Sequence, residues 1–313
     1  MNEELLKFYS DTGFEDALSL LETSEKHKIL RKIEFPDPSQ VNILKKPGYE
    51  NYSIKRGIYL DTETTGLSPD ENEIIQICLL PFIYASSPNS GHTLIVGIYP
   101  PYIGFQEPST QLKQEIIDLT GITMDMLAGQ TLDIPQIDHL IEKAEIIIAH
   151  NSAFDRPFVN KICCKFSEKK WACSMVDVDW KALGYESLKL SHLAADLGFY
   201  FEPHQADKDC LAGLAILTQL HTDGQNYFEK LIDKSGKDSV KIRAEYAPFE
   251  AKDILKQRGY SWKDGSDGKT KGWEINVIID NAKIEKQWLS DNVYNGSPRF
   301  SEKIENAYSR FKD

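Results

Sequence analysis

The sequence has no apolar run approaching the ~20 residues that a membrane-spanning helix requires, so no membrane association is expected. Its opening residues, MNEELLKFYS, are acidic and interrupted by charge, and no secretory leader is expected. Cysteine is sparse. The five residues Cys78, Cys163, Cys164, Cys173 and Cys210 are odd in number and lack CxxC spacing. They support neither a disulfide framework nor a zinc site, and reduced thiols in a cytoplasmic protein are the reading. Repeats and low-complexity tracts are absent, and 19 Gly and 14 Pro are too few for a collagen-like or disordered chain.

Positive charge is also in deficit. Lys and Arg number 36 against 48 Asp and Glu, a net charge of −12. Residues 241–313 hold 14 basic and 12 acidic side chains, which leaves 22 against 36 on residues 1–240. So acidic a surface repels nucleic acid at long range and argues against strong salt-driven binding. It leaves room for an enzyme that meets a polyanion through a metal ion.

What is present is a chain of 313 residues, 41% hydrophobic and 27% charged, long enough for two domains. Leu5, Leu6, Tyr9, Ala17, Leu18, Leu20, Leu21, Ile29 and Leu30 predict amphipathic helices over about 3–33, broken at Phe35-Pro36-Asp37-Pro38. A connector rich in Lys, Pro, Gly and Tyr comes next. Strands are predicted at 57–60, 74–84, 92–99 and 144–149, and helices at 110–119, 134–143, 154–164, 188–197 and 209–220. Strands first, then alternating helix and strand, give an α/β fold, a mixed sheet with helices on its faces. Beyond it, a helix over 249–258, a hairpin joining 260–262 to 272–277 and a closing helix over 300–311 form a small α+β module. The expected plan is a helical extension and connector at 1–55, the α/β domain at 56–223 and the module at 224–313.

Three segments carry chemistry. Tyr59-Leu-Asp61-Thr-Glu63-Thr-Thr-Gly66-Leu67 ends a strand in two carboxylates at i and i+2, on one face. Like charges so placed cost free energy unless a cation lies between them, and hard divalent cations prefer oxygen ligands. The alternative is a solvated turn. His150-Asn151-Ser152-Ala153-Phe154-Asp155 comes after a short apolar strand. Asp155 could equally cap the next helix, and His150 and Asn151 could position backbone. In His204-Gln205-Ala206-Asp207-Lys208-Asp209, spacing alone does not choose between Asp207 and Asp209, and a lone loop histidine is more often a surface residue.

In this order, DTETTGL, HNSAFD and HQADKD resemble the DxETTGL, HNxxFD and HxAxxD blocks of the DnaQ-like 3′–5′ exonuclease superfamily, in its DEDDh branch. Looser similarity to stand-alone bacterial epsilon-like exonucleases runs from about Lys45 to Tyr294, through Trp171-Ala-Cys-Ser174, Val178-Asp-Trp180 and the stretch Ala244–Trp262. The resemblance implies a ribonuclease H-like fold and two divalent cations, Mg²⁺ or Mn²⁺, held by Asp61, Glu63, Asp155 and Asp209. It implies His204 as the base, selects Asp209 over Asp207 by the five-residue offset, and sets Thr64, Thr65, Gly66, Leu67 and Asn151 against the terminal nucleotide. The implied reaction releases 5′-mononucleotides from a single-stranded 3′ end. DNA is favoured, with an exoribonuclease, or a non-catalytic binding or scaffold protein, as alternatives. No clamp-binding peptide is evident, so a polymerase or clamp partner lacks sequence support. Tyr260, Trp262 and Trp273 beside several lysines read as the module's core, with a surface for stacking single strands as the alternative.

Overall fold

The computed structural model describes residues 19, 21, 23, 24, 26–35, 52–88, 91–266 and 268–312. Most of the helical extension predicted over 3–33 lies outside them. Within them, Ser19 and Leu21 are helical, but Arg31–Lys32 form a short strand, β1, where helix was expected. Long-range pairing decides this. The Arg31 N–H donates to Gly198 O at 2.8 Å and the Ile33 N–H to Tyr200 O at 3.0 Å, and Ile33 enters the main apolar core.

Strand β2 (Ser53–Thr64) starts exposed and is buried from Gly57 to Leu60. β3 (Ile74–Ser86) pairs antiparallel along it, from Ser53↔Ser86 to Thr64↔Ile74. β4 (Thr93–Ile98) and β5 (Tyr102–Phe105) both pair with β3, at its two ends. After α1 (Gln114–Thr120), α2 (Met124–Leu127) and α3 (Ile134–Lys143) comes β6 (Ile146–Ala149), parallel to β2 and buried throughout. The Asp133 side chain starts α3 by accepting from the Gln136 N–H. Next are α4 (Ser152–Ile162), β7 (Lys170–Cys173) parallel to β6, α5 (Leu190–Asp196), β8 (Phe199–Tyr200), α6 (Ala206–Leu217) and α7 (Tyr227–Ser235).

The strand order is β4-β3-β2-β6-β7, antiparallel on one side of β2 and parallel on the other. Side-chain alternation along these strands feeds two apolar layers. Tyr59, Leu80, Phe82 and Ile148 pack under α5, α6 and α7, while Ile58, Leu60, Leu79 and Ile147 pack under α3 and α4. The expected mixed sheet flanked by helices is therefore observed. Tyr227, Phe228 and Leu231 of α7 belong to the first layer, so the sheet's core continues past residue 223.

The remaining strands form a second sheet. β9 (Ser239–Glu245), α8 (Lys252–Gln257), β10 (Ser261–Lys263), β11 (Gly272–Ile278), α9 (Ile279–Asn292) and β12 (Phe300–Glu305) come in order, and the four strands pair antiparallel as β10-β11-β9-β12. The expected hairpin is present, with Trp262 opposite Trp273. Gly259, at φ 99°, ends the expected helix. The closing helix expected over 300–311 is instead a strand and a turn. Phe300, Ile304, Ala307 and Phe311 have helical spacing, but six residues pair with β9 from Phe300↔Ala244 to Glu305↔Ser239. Tyr260 and Trp273 are buried in the module's core with Ala282 and Leu289 of α9, as expected, but Trp262, expected there too, is 52% exposed on the edge strand β10. No helix among the described residues is long and apolar enough to cross a membrane.

After β12 the chain returns to the first sheet. The Trp171 N–H donates to Ala307 O at 2.7 Å, and the buried Arg156 guanidinium donates to Ser167 O, Tyr308 O and Arg310 O. Arg310 in turn pairs with buried Asp177, whose other oxygen accepts from the Cys173 N–H.

Candidate active site

β2 runs parallel to β6 from Gly57↔Ile146 to Leu60↔Ala149 and continues past the end of β6 to Thr64, so Asp61 and Glu63 lie beyond the last paired residues. Along the end of β2, Asp61 and Glu63 alternate with buried Thr62 and Thr64, so the two carboxylates share a face as the i, i+2 spacing requires. α6 packs against β2 and β3 through Ala206, Cys210 and Gly213, and its first turn carries Asp209. Oxygens of Asp61, Glu63 and Asp209 all lie within 4.8 Å of one another. Asp155 comes from the first turn of α4 and is 2% exposed. One of its oxygens accepts from the Thr62 hydroxyl at 2.8 Å.

These four acids and His204 line a single pocket of about 230 Å³ with Thr64, Gly66, Leu67 and His150. Helix capping alone accounts for neither Asp155 nor Asp209. No side chain caps α4, whose N-cap position is Asn151. Asp209 does accept from the Gln205 N–H at 3.1 Å, but it also faces the pocket, which Asp207 does not. Asp207 lies 3.4 Å from the Lys208 ammonium instead.

Burial is the largest force on these acids and like charge adds to it. Asp61 is held well above the carboxylate range by burial and then by Asp155, Asp209 and Glu63. Burial, then Asp209 and Asp155, pushes Glu63 to about 8. Burial raises Asp155 to about 7 against the Thr62 hydrogen bond, and Asp209 to about 6 against donors from Gln205 and His204. An all-oxygen donor set whose members repel one another fits a hard divalent cation, whose charge would remove the cost.

The turn after β2 is built from its own polar groups. Thr64 Oγ1 donates to Gly66 O at 2.6 Å, and Thr65 Oγ1 donates to Asn72 and accepts from the Glu73 N–H. A Cβ at Gly66 would strike the Asn72 amide. Leu67 projects 84% exposed at the rim. Thr65 and Asn151 are the two expected site residues that do not line the pocket. Thr65 ties the turn, and Asn151 takes a left-handed backbone, φ 78°, to start α4. His204 is exposed and also left-handed, φ 66°. His150 bonds Ser174 Oγ at 2.9 Å and Leu188 O at 2.7 Å, fixing the strand end as expected.

Sequence reasoning missed Thr62 and the wall formed by Ile116, Leu119 and Thr120 of α1. Thr62 sits inside the first acidic block, where its place between two acids was the available signal. Nothing in α1 distinguishes a pocket wall from an ordinary amphipathic helix.

The model of the RNase_T exonuclease family matches residues 58–217, from β2 through α6, which is half of the chain. The chain belongs to the RNase_T exonuclease family. Among relatives of this exonuclease, a DNA polymerase III PolC-type of Mycoplasmopsis pulmonis is 31% identical over 228 residues, covering 67% of this chain and 14% of that protein. That of Thermotoga maritima is 28% identical over 146 residues, covering 46% and 9%. The exonuclease thus spans a small fraction of the length of these curated relatives. The solved structure of Escherichia coli exonuclease I with single-stranded DNA and zinc aligns with 82% of this chain and 66% of that one, at 16% identity and a TM-score of 0.47. The family places the exonuclease in the DnaQ-like 3′–5′ exonuclease superfamily, as the three sequence blocks implied.

Proposed function

We propose that the protein removes nucleotides one at a time from the 3′ end of a nucleic-acid strand, with DNA as the favoured polymer. The observation that carries this reading is the meeting of Asp61, Glu63, Asp155, Asp209 and His204 in one pocket, drawn from β2, α4 and the start of α6. The donor set suits two Mg²⁺ or Mn²⁺ ions, which when bound supply charge stabilisation at the scissile phosphate and the departing oxygen. Asp61, Glu63, Asp155 and Asp209 would hold them. His204, at the mouth, takes a proton from the attacking water. Attack on phosphorus forms one P–O bond and breaks the bond to the 3′ oxygen, releasing a 5′-mononucleotide and leaving a strand with a new 3′ hydroxyl.

The turn Thr64–Leu67 receives the terminal nucleotide, with Leu67 against its base. Exposed Leu119 adds apolar surface to the pocket lining. Thr65 and Asn151 serve this binding indirectly, by shaping the turn and the start of α4. Support for DNA comes from the relatives, which are named as DNA polymerases. The test is degradation of 3′-labelled single-stranded DNA, duplex DNA and RNA by purified protein. Activity on DNA that is lost in chelator and restored by Mg²⁺ or Mn²⁺ supports the reading. Full activity in excess chelator refutes the metal mechanism, and a clear preference for RNA refutes the substrate.

A further inference from the structure

A second cleft, of about 490 Å³, lies apart from the catalytic pocket. It lies between the four-stranded sheet and the exonuclease core, and it is basic in a chain of net charge −12. Its walls carry Lys234, Lys237, Lys241, Arg243, Lys263 and Lys269, with Arg310 at the base. The acids beside them are Asp177, Asp264, Glu274 and Glu305. Sheet alternation creates this surface. In β9, Val240, Ile242 and Ala244 enter the module's core, while Ser239, Lys241 and Arg243 face the cleft. Asn276 of β11 and Lys263 of β10 face it too.

We infer that this cleft binds the phosphate backbone of the strand whose 3′ end occupies the catalytic pocket, an inference that rests on the exonuclease reading. Three observations carry it. The first turn of α4 separates the two cavities: Ala153 lines the cleft, and Phe154 and Asp155 line the pocket. The cations are spread over α7, β9, β10 and the turn after β10, an arrangement that tracks a polymer, whereas a small anion needs converging donors. Part of the charge is committed to holding the walls. Arg310 pairs with Asp177, Arg243 with Glu274 at 2.8 Å and Lys241 with Glu305 at 3.2 Å. Lys237, which pairs with exposed Asp233 at 2.8 Å, and Lys263 lie exposed at the surface, where they can meet phosphates without rearranging the pairs that hold the walls.

The test is equilibrium binding by the full chain in excess chelator, read by anisotropy of 5′-labelled oligothymidylates of about four and about 16 nucleotides. The wild type binds the longer probe more tightly and with the steeper salt dependence. The double variant Lys237→Gln, Lys263→Gln weakens binding of the longer probe roughly three- to tenfold. Its salt slope is shallower by about 0.7 for each lost phosphate contact, and binding of the short probe is unchanged. With Mg²⁺ the variant degrades the short probe at the wild-type rate, showing an intact fold. Equal affinity of the wild type for both lengths, or an unchanged variant, overturns the inference. Displacement of both probes alike by millimolar inorganic phosphate overturns it in favour of a small-anion site. A wild type that degrades neither probe in Mg²⁺ defeats the exonuclease reading, and the chelator arm still decides whether the cleft binds the polymer.

Discussion

The ring of Tyr59 fills the space that a Cβ on Gly213 would occupy. Tyr59 stands two residues before Asp61, and Gly213 lies one helical turn after Asp209, so this contact sets how closely the strand bearing one acid meets the helix bearing the other. The ring cannot yield easily, because it is 1% exposed and its hydroxyl bonds Ser174 Oγ at 2.7 Å. Gly213→Ala should therefore destabilise the protein by about 1–3 kcal/mol, the usual cost of overpacking, and reduce nuclease activity beyond the loss of folded protein. Urea midpoints and activity per folded molecule check this. An unchanged midpoint would show that α6 is free to move.

Metal-free stability should fall as pH rises. Glu63, Asp155 and Asp209 are raised to about 8, 7 and 6 in the folded state, so the native protein holds protons that the unfolded chain releases near pH ~4. The penalty from these three groups is absent below that pH, grows as pH rises and is complete above pH ~8, and Asp61, held well above the carboxylate range, acts in the same direction. Glu63→Gln removes one contributor and should stabilise the metal-free protein at alkaline pH by about 1–2 kcal/mol, with little effect at acid pH. Added Mg²⁺ should stabilise the wild type more than the variant. Denaturation midpoints across pH in chelator decide, and parallel curves for the two proteins would refute the account.

His204 can be separated from its backbone conformation. Its φ of 66° is one that Asn tolerates well. His204→Asn should keep the loop and the Asp209 geometry while lowering kcat by roughly 10²–10⁴, the worth of positioned proton transfer, with KM little changed. A kcat within scatter of wild type would remove His204 from the mechanism.

Arg156 adjoins Asp155 but points away from the chemistry. Its guanidinium bonds three carbonyls and lies 5.1 Å from the Trp171 ring centre, with burial pulling its pKa down to about 10. Arg156→Met should cost about 2–4 kcal/mol by stranding those carbonyls. Arg156→Lys should not rescue, because an ammonium lacks the fork geometry. Thermal midpoints and the rate of tryptic cleavage after Arg310 report on it. A lysine variant of wild-type stability would contradict the role given to the fork.

The grouping of the four acids was legible in the sequence because its parts are local. Asp61-x-Glu63 needs only a strand, and Asp155 and Asp209 each need only a strand-to-helix turn, so short blocks hold the geometry. Some of the elements that escaped depend on distant partners. β1 pairs with β8, and β12 pairs with β9, across long stretches of chain. Residues 29–33 and 300–311 carry apolar spacings that suit a helix until those partners are present. β5 has only four residues and exists because β3 is long enough to pair with it beyond β4. Thr62 escaped for another reason: its hydroxyl matters only once α4 has carried Asp155 beside β2.

The tail beyond β12 changes what the small sheet is. Ser239, which opens β9, is the strand partner of Glu305, which closes β12, so the chain leaves and re-enters the sheet at neighbouring points. The tail itself is bound by Arg156, Trp171 and Asp177 of the exonuclease core. The module is therefore an insertion into a discontinuous catalytic domain, and a polypeptide cut after Ser235 would lack part of that domain. Adjacent ends are the usual mark of an inserted unit. They also mean that a minimal nuclease would be made by a short bridge from α7 to the tail, leaving the segment that Arg156 grips in place.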